Sequence, residues 1–195
     1  SRYNIAPSQE VPVFVTGADG ATVRLMRWGL VPSWARDTKI AYATIHARVE
    51  TVAEKPAFRG AWRARRRALV PATGWYEWKA VGTLKQPYYV SASDGNPQML
   101  GALWERWLDP QGAELHSCAI ITVPVRPELA AVHDRMPLVL APAQWAGWLD
   151  PKLPQVPAVL EAAALPYTFT TVARTVNSVR NDGPELVRPL FGLAQ

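Results

Sequence analysis

The sequence holds a single cysteine, Cys118, among its 195 residues. One cysteine cannot form an intramolecular disulfide, and no Cys and His residues stand at the spacing of a zinc site. We therefore expect a reducing compartment, no metal and no cofactor. Cys118 lies in the apolar run HSCAIITV, which favours a small buried strand residue over a nucleophile.

Long hydrophobic runs are missing as well. No stretch approaches about eighteen consecutive apolar residues and no secretory signal opens the chain, so we expect a soluble cytoplasmic protein with no membrane partner. Acidic residues are the scarcer charge: 16 Asp and Glu face 21 Lys and Arg, a formal net charge of +5. That balance favours an anionic partner such as nucleic acid without proving one.

Short strand-like runs separated by turns dominate the pattern, and the 18 prolines argue against a helical bundle. We predict an α+β protein with one domain over residues 1–195, built on a curved, mostly antiparallel, barrel-like sheet with a few short peripheral helices. The predicted strands include Val11–Thr16, Thr22–Trp28, Ala68–Val70, Gly74–Lys79, Gln86–Ser91, Met99–Trp107, Glu114–Val123, Met136–Leu140 and Tyr167–Val172. The predicted helices are Glu54–Ala64, Pro142–Leu149 and a segment near Ala158–Ala164.

The segment Pro71–Lys79, PATGWYEWK, places the carboxylate of Glu77 among three aromatic residues. Desolvation raises the pKa of such a carboxylate toward neutrality, where it can act as a general acid or base. The alternative is a solvated strand-edge residue, or a Glu77 that pairs with Lys79. Both interpretations stay open on this segment alone.

Three further segments carry candidate residues. His133, in VHDRMPLVL, fits either acid–base chemistry or a structural pair with the neighbouring Asp134. His46 and Arg48 share one face if their segment is extended. Trp34 lies in a loop, as a core plug or as an exposed stacking platform.

The basic cluster Arg63–Arg67 follows a predicted helix. Cations suit a helix C-terminus, so the cluster has a structural explanation; a phosphate-facing patch is the alternative.

Six motifs follow one another in an order that resembles the SRAP family, the SOS response-associated peptidases. They are RYNIAP (2–7), RWGLVPSW (27–34), HARVET (46–51), GWYEW (74–78), HDRMPLVL (133–140) and VRNDGPEL (179–186). The resemblance covers nearly the whole chain, and six ordered motifs are far more specific than any one of them.

The resemblance implies a protein that binds single-stranded DNA and shields abasic sites through a covalent DNA–protein crosslink, with self-processing peptidase activity, in the DNA damage (SOS) response. In the family, an N-terminal cysteine closes its amine and thiol on the sugar aldehyde to give a thiazolidine. The alternative function is a single-stranded-DNA-binding module without chemistry. We expect a monomer acting on DNA with abasic sites, associated with the nucleoid when bound.

The resemblance also implies roles for individual residues. Glu77 matches the catalytic glutamate and His133 the active-site histidine, while His46 stands where the family usually has asparagine. The residues expected to bind DNA are Arg48, Arg135, Asn4, Trp34 and Arg2.

The family's reactive cysteine precedes the RYN motif by some tens of residues and is absent from this sequence. We expect that the sequence is a fragment whose upstream segment carries this cysteine, since the pattern is kept from Ser1 onward. Otherwise this member is inactive for crosslinking.

Overall fold

The computed structural model describes residues 1–17, 20–152, 163 and 165–190. Its strands are β1 Glu10–Gly17, β2 Gly20–Trp28, β3 His46–Arg48, β4 Arg67–Ala72, β5 Trp75–Val81, β6 Leu84–Ala92, β7 Gln98–Leu108, β8 Glu114–Pro124, β9 Arg135–Pro137, β10 Val139–Leu140 and β11 Tyr167–Thr171. Its α-helices are α1 Pro56–Arg63 and α2 Pro142–Leu149. The helix predicted near Ala158–Ala164 lies outside the described residues, apart from Ala163.

Five strands close into a barrel. The order β7-β4-β1-β2-β8 returns to its start because β7 pairs with β8 as well as with β4. Among the described residues, every strand pairing is antiparallel except those of β8 with β2 and β3, which are parallel. The predicted α+β class and the curved, mostly antiparallel, barrel-like sheet are confirmed.

Alternating and continuous apolar patterns fill the barrel. In β1, Val11, Val13 and Val15 are buried on one face, the period-two pattern of a strand with one side on the core. Residues 117–123 of β8 are all buried, which explains the uninterrupted apolar run around Cys118. Burial raises the pKa of the Cys118 thiol to about 12, so this cysteine is a core residue and not a nucleophile, as predicted.

A second sheet has the order β11-β6-β5, which leaves β5 at its edge within the described part of the chain. The β5–β6 hairpin pairs Trp78 with Pro87 and Ala80 with Lys85. Paired residues share a face of the sheet, so Trp78 and Lys85 lie on the opposite face from Glu77.

The segment Met136–Leu140, predicted as one strand, is divided at Leu138. Its first part, β9, pairs with β8, and its second part, β10, pairs with β7. Leu138 donates its N–H to the Ile121 carbonyl and accepts a hydrogen bond from the Gly101 N–H, so it connects the two strands of the barrel.

The basic cluster Arg63–Arg67 is held largely by intramolecular contacts. Arg66 forms an ion pair with Glu105. Arg65 donates to the Pro151 carbonyl oxygen at 2.9 Å, and Arg67 donates to the Asp150 carbonyl oxygen at 2.6 Å. These bonds tie the end of α1 to the end of α2, which favours the structural explanation over a phosphate-facing patch.

No helix within the described ranges is long and apolar enough to cross a membrane. Among the same residues, no three His, Cys, Asp or Glu side chains are grouped so that they could hold a metal ion.

Candidate functional site

Glu77 and His133 meet across a cleft between the barrel and the second sheet. Glu77 comes from the edge strand β5, and His133 comes from the loop between β8 and β9. Glu77 Oε2 lies 3.9 Å from His133 Nε2. The other ring nitrogen, Nδ1, accepts a hydrogen bond from the Arg135 backbone N–H at 3.1 Å and lies 3.3 Å from Asp134 Oδ1. The contact with Asp134 and the contact with Glu77 therefore occur together, one at each ring nitrogen.

The Glu77 carboxylate is desolvated, as its aromatic neighbours predict. Its side chain is 21% exposed, and burial raises its pKa to about 7; Asp134 adds to the rise, while His133 opposes it. Lys79 forms no ion pair with it, so the alternative of a simple Glu77–Lys79 pair is not realised. A carboxyl group with this pKa is close to half-protonated at neutral pH and can take up or release a proton there.

The cleft has a volume of about 440 Å³ and is lined by Glu77, Trp78, Lys85, His133 and Asn177. The Trp78 indole N–H donates to Asn177 Oδ1 at 2.9 Å. Lys85 and Asn177 are not among the predicted site residues, because no local pattern marks them. Lys85 reaches the cleft through the β5–β6 register, and Asn177 reaches it through a contact 99 positions along the chain.

His46 faces the same region from β3, which runs parallel to β8. Buried Ala47 separates His46 from Arg48, so both of these exposed side chains point away from the core, as predicted for an extended segment. Although exposed on one side, the His46 ring has a pKa below its ordinary value, because of burial and, secondly, the nearby His133. The Trp28 ring lies 6.0 Å from it, centroid to centroid.

The two arginines predicted to bind phosphate differ in availability. Arg48 is exposed and forms no ion pair within the described ranges. The pKa of Glu50 is lowered chiefly by its hydrogen bond from Arg135 and only slightly by the charge of Arg48. Arg135 donates to both carboxylate oxygens of Glu50, at 2.6 and 3.0 Å, and to the Thr122 carbonyl oxygen at 2.6 Å. A phosphate would have to compete with Glu50 for Arg135, whereas Arg48 is free to receive one.

Trp34 is 58% exposed, and its indole N–H donates to the Pro56 carbonyl oxygen at 3.3 Å. Of the two interpretations, the structure fits the exposed platform and not the core plug. Arg2 is also exposed, but it is engaged locally: it donates to the Glu10 carbonyl oxygen at 2.7 Å and bonds the Gln9 side chain.

Asn4, predicted to contact DNA, is only 7% exposed. Its side-chain amide donates to the carbonyl oxygens of Val176, Ser178 and Asn181 at 3.0, 3.1 and 3.0 Å. Its donor capacity is therefore spent inside the protein, where Asn4 holds the segment of residues 176–181 in place, and its contact with DNA stays a prediction. It ties the first motif of the chain to the last one.

Comparison with known proteins agrees with this architecture. The SOS response associated peptidase (SRAP) family matches residues 1–179, and the chain belongs to that family. A crystal structure of a protein from Bacteroides thetaiotaomicron superimposes with a TM-score of 0.83 at 28% sequence identity, over 94% of this chain and 82% of that one.

Several relatives carry names that state a function. The abasic site processing protein YoqW of Bacillus subtilis (strain 168) is 38% identical over 193 residues, which cover 95% of this chain and 84% of YoqW. The abasic site processing protein YedK of Escherichia coli (strain K12) is 30% identical over 194 residues, 97% of this chain and 85% of YedK. The abasic site processing protein HMCES of Gallus gallus is 32% identical over 221 residues, 96% of this chain and 66% of HMCES.

Proposed function

We propose that this chain processes abasic sites in single-stranded DNA as part of the DNA damage response, with Glu77 and His133 as its acid–base centre. The observation that carries the proposal is the carboxyl group of pKa about 7 that lies 3.9 Å from an imidazole in an open cleft. The relatives named for abasic site processing support the substrate.

The chemistry starts from the open-chain form of an abasic sugar, whose C1 carbon is an aldehyde. The amine of an N-terminal cysteine attacks C1 and water leaves, which gives an imine. The cysteine thiol then adds to the imine carbon: a C–S bond forms, the thiol proton passes to the nitrogen, and a five-membered thiazolidine closes. Cys118 cannot take this role, because it is buried and its thiol stays protonated.

Glu77 supplies the proton transfers of this sequence. An α-amino group has a pKa of roughly 8, close to the value of about 7 for Glu77, so a proton passes between them at little cost near neutral pH. The same carboxyl group then returns a proton to the hydroxyl that leaves as water. His133, on the opposite wall, assists the opening of the sugar ring.

The residues around this pair hold the DNA. Arg48 receives a backbone phosphate, and Trp34 stacks on a base or wedges between two. His46 takes the place of the usual asparagine, and its lowered pKa keeps the ring neutral near pH 7, where it has one hydrogen-bond donor and one acceptor. Cleavage of a peptide in front of the reactive cysteine would use the same acid–base pair.

Two forms of the protein test the proposal. One is the 195-residue chain, and the other is the same chain with an N-terminal extension that begins with cysteine. Both are mixed with a single-stranded oligonucleotide containing one abasic site and are then denatured. We expect both forms to bind, and only the cysteine form to leave a crosslink that survives denaturation.

The matched control carries serine at the first position of the extension, which keeps the amine but removes the thiol. It should form an imine that reverses, and no lasting crosslink. A stable crosslink from the 195-residue chain would contradict the assigned chemistry, since another nucleophile would then be responsible.

The second candidate is a single-stranded-DNA-binding module without chemistry. Two observations favour this alternative. The one cysteine of the sequence, Cys118, is buried, and the side chains of Arg48 and Trp34 are exposed. Under this alternative the cysteine-bearing form binds abasic DNA and still leaves no crosslink.

A further inference from the structure

We propose that Trp78, Lys85 and Asn177, named here the outer wall of the cleft, form a binding subsite for the nucleotide next to the abasic sugar. The base of that nucleotide lies against the Trp78 indole and its phosphate lies at the Lys85 ammonium group. This inference rests on the proposed function, because it assigns the part of the same cleft that the acid–base pair leaves unused.

The topology separates the two halves of the cleft. Glu77 and Trp78 are consecutive residues of β5 and therefore point to opposite faces of the sheet. Because β5 is an edge strand in the described part of the chain, the cleft passes around that edge and both side chains line it. Lys85 lies on the Trp78 face of the hairpin, so the outer wall begins where the acid–base pair ends.

The Trp78 ring is both exposed and fixed. It is 38% exposed, and the hydrogen bond from its N–H to Asn177 Oδ1 sets its orientation. Asn177 ends the short 3-10 helical segment Arg174–Asn177, whose Val176 is buried. A flat aromatic surface that is already oriented loses little entropy when a base stacks on it.

The contacts of Asn4 extend this support to the first motif. The Asn4 amide donates to the carbonyl oxygens on both sides of Asn177, those of Val176 and Ser178. The Tyr76 hydroxyl donates to the Tyr3 carbonyl oxygen at 2.7 Å, beside the same strand. The RYN motif therefore positions the segment around Asn177, and Asn177 in turn orients the Trp78 ring.

Lys85 supplies the charge that a phosphate needs. It is exposed and forms no ion pair with any residue that the structure describes. The reacting end of the cleft holds the carboxyl group of Glu77, and the charge of Asp134 lies close enough to raise its pKa. These carboxyl groups repel a phosphate, so the Lys85 cation on the outer wall favours placing the phosphate there.

An indole face and an ammonium group at one end, with an acid–base pair at the other, fit a single-stranded nucleotide chain. A base can stack on Trp78 only when it is free of its own neighbours and of a complementary strand. The outer wall therefore also gives a physical reason for single-strand selectivity.

The charge part of the proposal is tested by the salt dependence of binding. The 195-residue chain and its Lys85→Ala variant are titrated with a single-stranded oligonucleotide carrying a central abasic site, at several salt concentrations. We expect the slope of log affinity against log salt to become shallower by about 0.7, the value for one lost phosphate contact on a single strand. Lys152→Ala is the control, since Lys152 is an exposed lysine that does not line the cleft.

The stacking part is tested by a double-mutant cycle between protein and DNA. Trp78→Ala is combined with oligonucleotides in which the base on the 5′ or the 3′ side of the abasic site is also removed. We expect Trp78→Ala alone, or removal of the stacked base alone, to weaken binding about tenfold. On the side where that base stacks on Trp78, the two changes together should weaken binding little more than either change alone. Trp78→Phe, which keeps a flat ring, should recover most of the affinity, and this variant guards against a folding defect in Trp78→Ala.

An unchanged salt slope in Lys85→Ala would overturn the subsite. So would a cycle in which the affinity losses from Trp78→Ala and from base removal multiply on both the 5′ and the 3′ side. These outcomes leave the proposed function intact as long as the unchanged chain binds abasic DNA and the cysteine-bearing form crosslinks to it. Absence of binding by the unchanged chain would overturn both.

Discussion

At the scale of single residues, the environment of Glu77 is the feature that local sequence predicts best. The aromatic neighbours Trp75, Tyr76 and Trp78 indicate a desolvated carboxyl group, and burial is the largest cause of its raised pKa. The partner of Glu77 is different, since His133 lies 56 positions away along the chain and only the fold brings the two to 3.9 Å. Family motifs point to both residues, but spacing alone does not pair them.

The raised pKa of Glu77 has a consequence for stability. In the unfolded chain its pKa is near the ordinary 4.5, and in the folded protein it is about 7, so the folded state binds more protons between these values. The stability that protonation of Glu77 contributes is therefore fully present below about pH 4.5 and is lost as the pH rises through 7.

Glu77→Gln removes this dependence. Chemical denaturation gives the free energy of unfolding of both proteins at pH 5 and pH 8. From pH 5 to pH 8, the free energy of unfolding of the variant should rise relative to that of the unchanged protein by about 2–3 kcal/mol. An equal difference at the two pH values would show that Glu77 titrates normally in the folded protein.

At the scale of elements, Gly74 fixes how β5 meets β6. A Cβ added at Gly74 would lie 2.6 Å from Tyr89 Cζ and closer still to the Val90 carbonyl oxygen. Backbone cannot yield as a flexible side chain can, so Gly74→Ala should destabilise the protein by about 1–3 kcal/mol and displace Glu77.

The matched control for that substitution is Gly60→Ala in helix α1. There the nearest heavy atom to an added Cβ is 3.9 Å away, and alanine is the better helix former, so a gain of about 0.5–1 kcal/mol is expected. Thermal unfolding of the two variants measures both effects. Equal destabilisation by both would contradict the close-contact explanation.

The link between the RYN motif and the segment of residues 176–181 makes a separate prediction. Asn4→Ala leaves three carbonyl oxygens without their donor, which should cost about 1–3 kcal/mol of stability. It should also weaken DNA binding without changing the salt slope, because no phosphate contact is lost. A shallower slope in Asn4→Ala would show that Asn4 contacts a phosphate.

Elements with a clear local period could be predicted from the sequence, and those set by distant contacts could not. The hairpin β1–β2 and helix α2 follow directly from alternating apolar residues and from a proline start. The break at Leu138 has no local signal, since both halves are apolar and the division depends on which barrel strand each half meets. Likewise, the partners that engage the Arg63–Arg67 cluster lie on β7 and at the end of α2.

At the scale of the whole molecule, closure of the barrel places the chemistry. Pairing of β3 along β8 brings His46 and Arg48 to the side from which His133 projects, and the second sheet brings Glu77 against that side. The family motifs marked Glu77 and His133, which both line the cleft, whereas Lys85 and Asn177 line it only through the packing of the second sheet, and His46 and Arg48 are not among its lining residues.

The affinity for DNA should depend on the positions of particular arginines and not on the net charge of the protein alone. Arg48→Ala is expected to weaken binding to single-stranded abasic DNA about tenfold at moderate salt and to make the salt slope shallower by about 0.7. Arg63→Ala makes the same change in net charge at the end of α1 and should leave both quantities almost unchanged. Fluorescence anisotropy over a salt series distinguishes the two variants, and equal effects would indicate nonspecific attraction.

If Glu77 transfers the protons of abasic-site capture, its loss must change the rate of crosslink formation measured in a single turnover. The cysteine-bearing form and its Glu77→Gln variant are saturated with abasic single-stranded DNA and followed from pH 5 to pH 9. We expect a capture rate that changes around pH 7 in the unchanged protein. In the variant, the rate should be about a hundredfold lower and lack that change, at nearly unaltered affinity. Capture by the variant at the full rate, with the same pH dependence, would show that Glu77 does not transfer these protons.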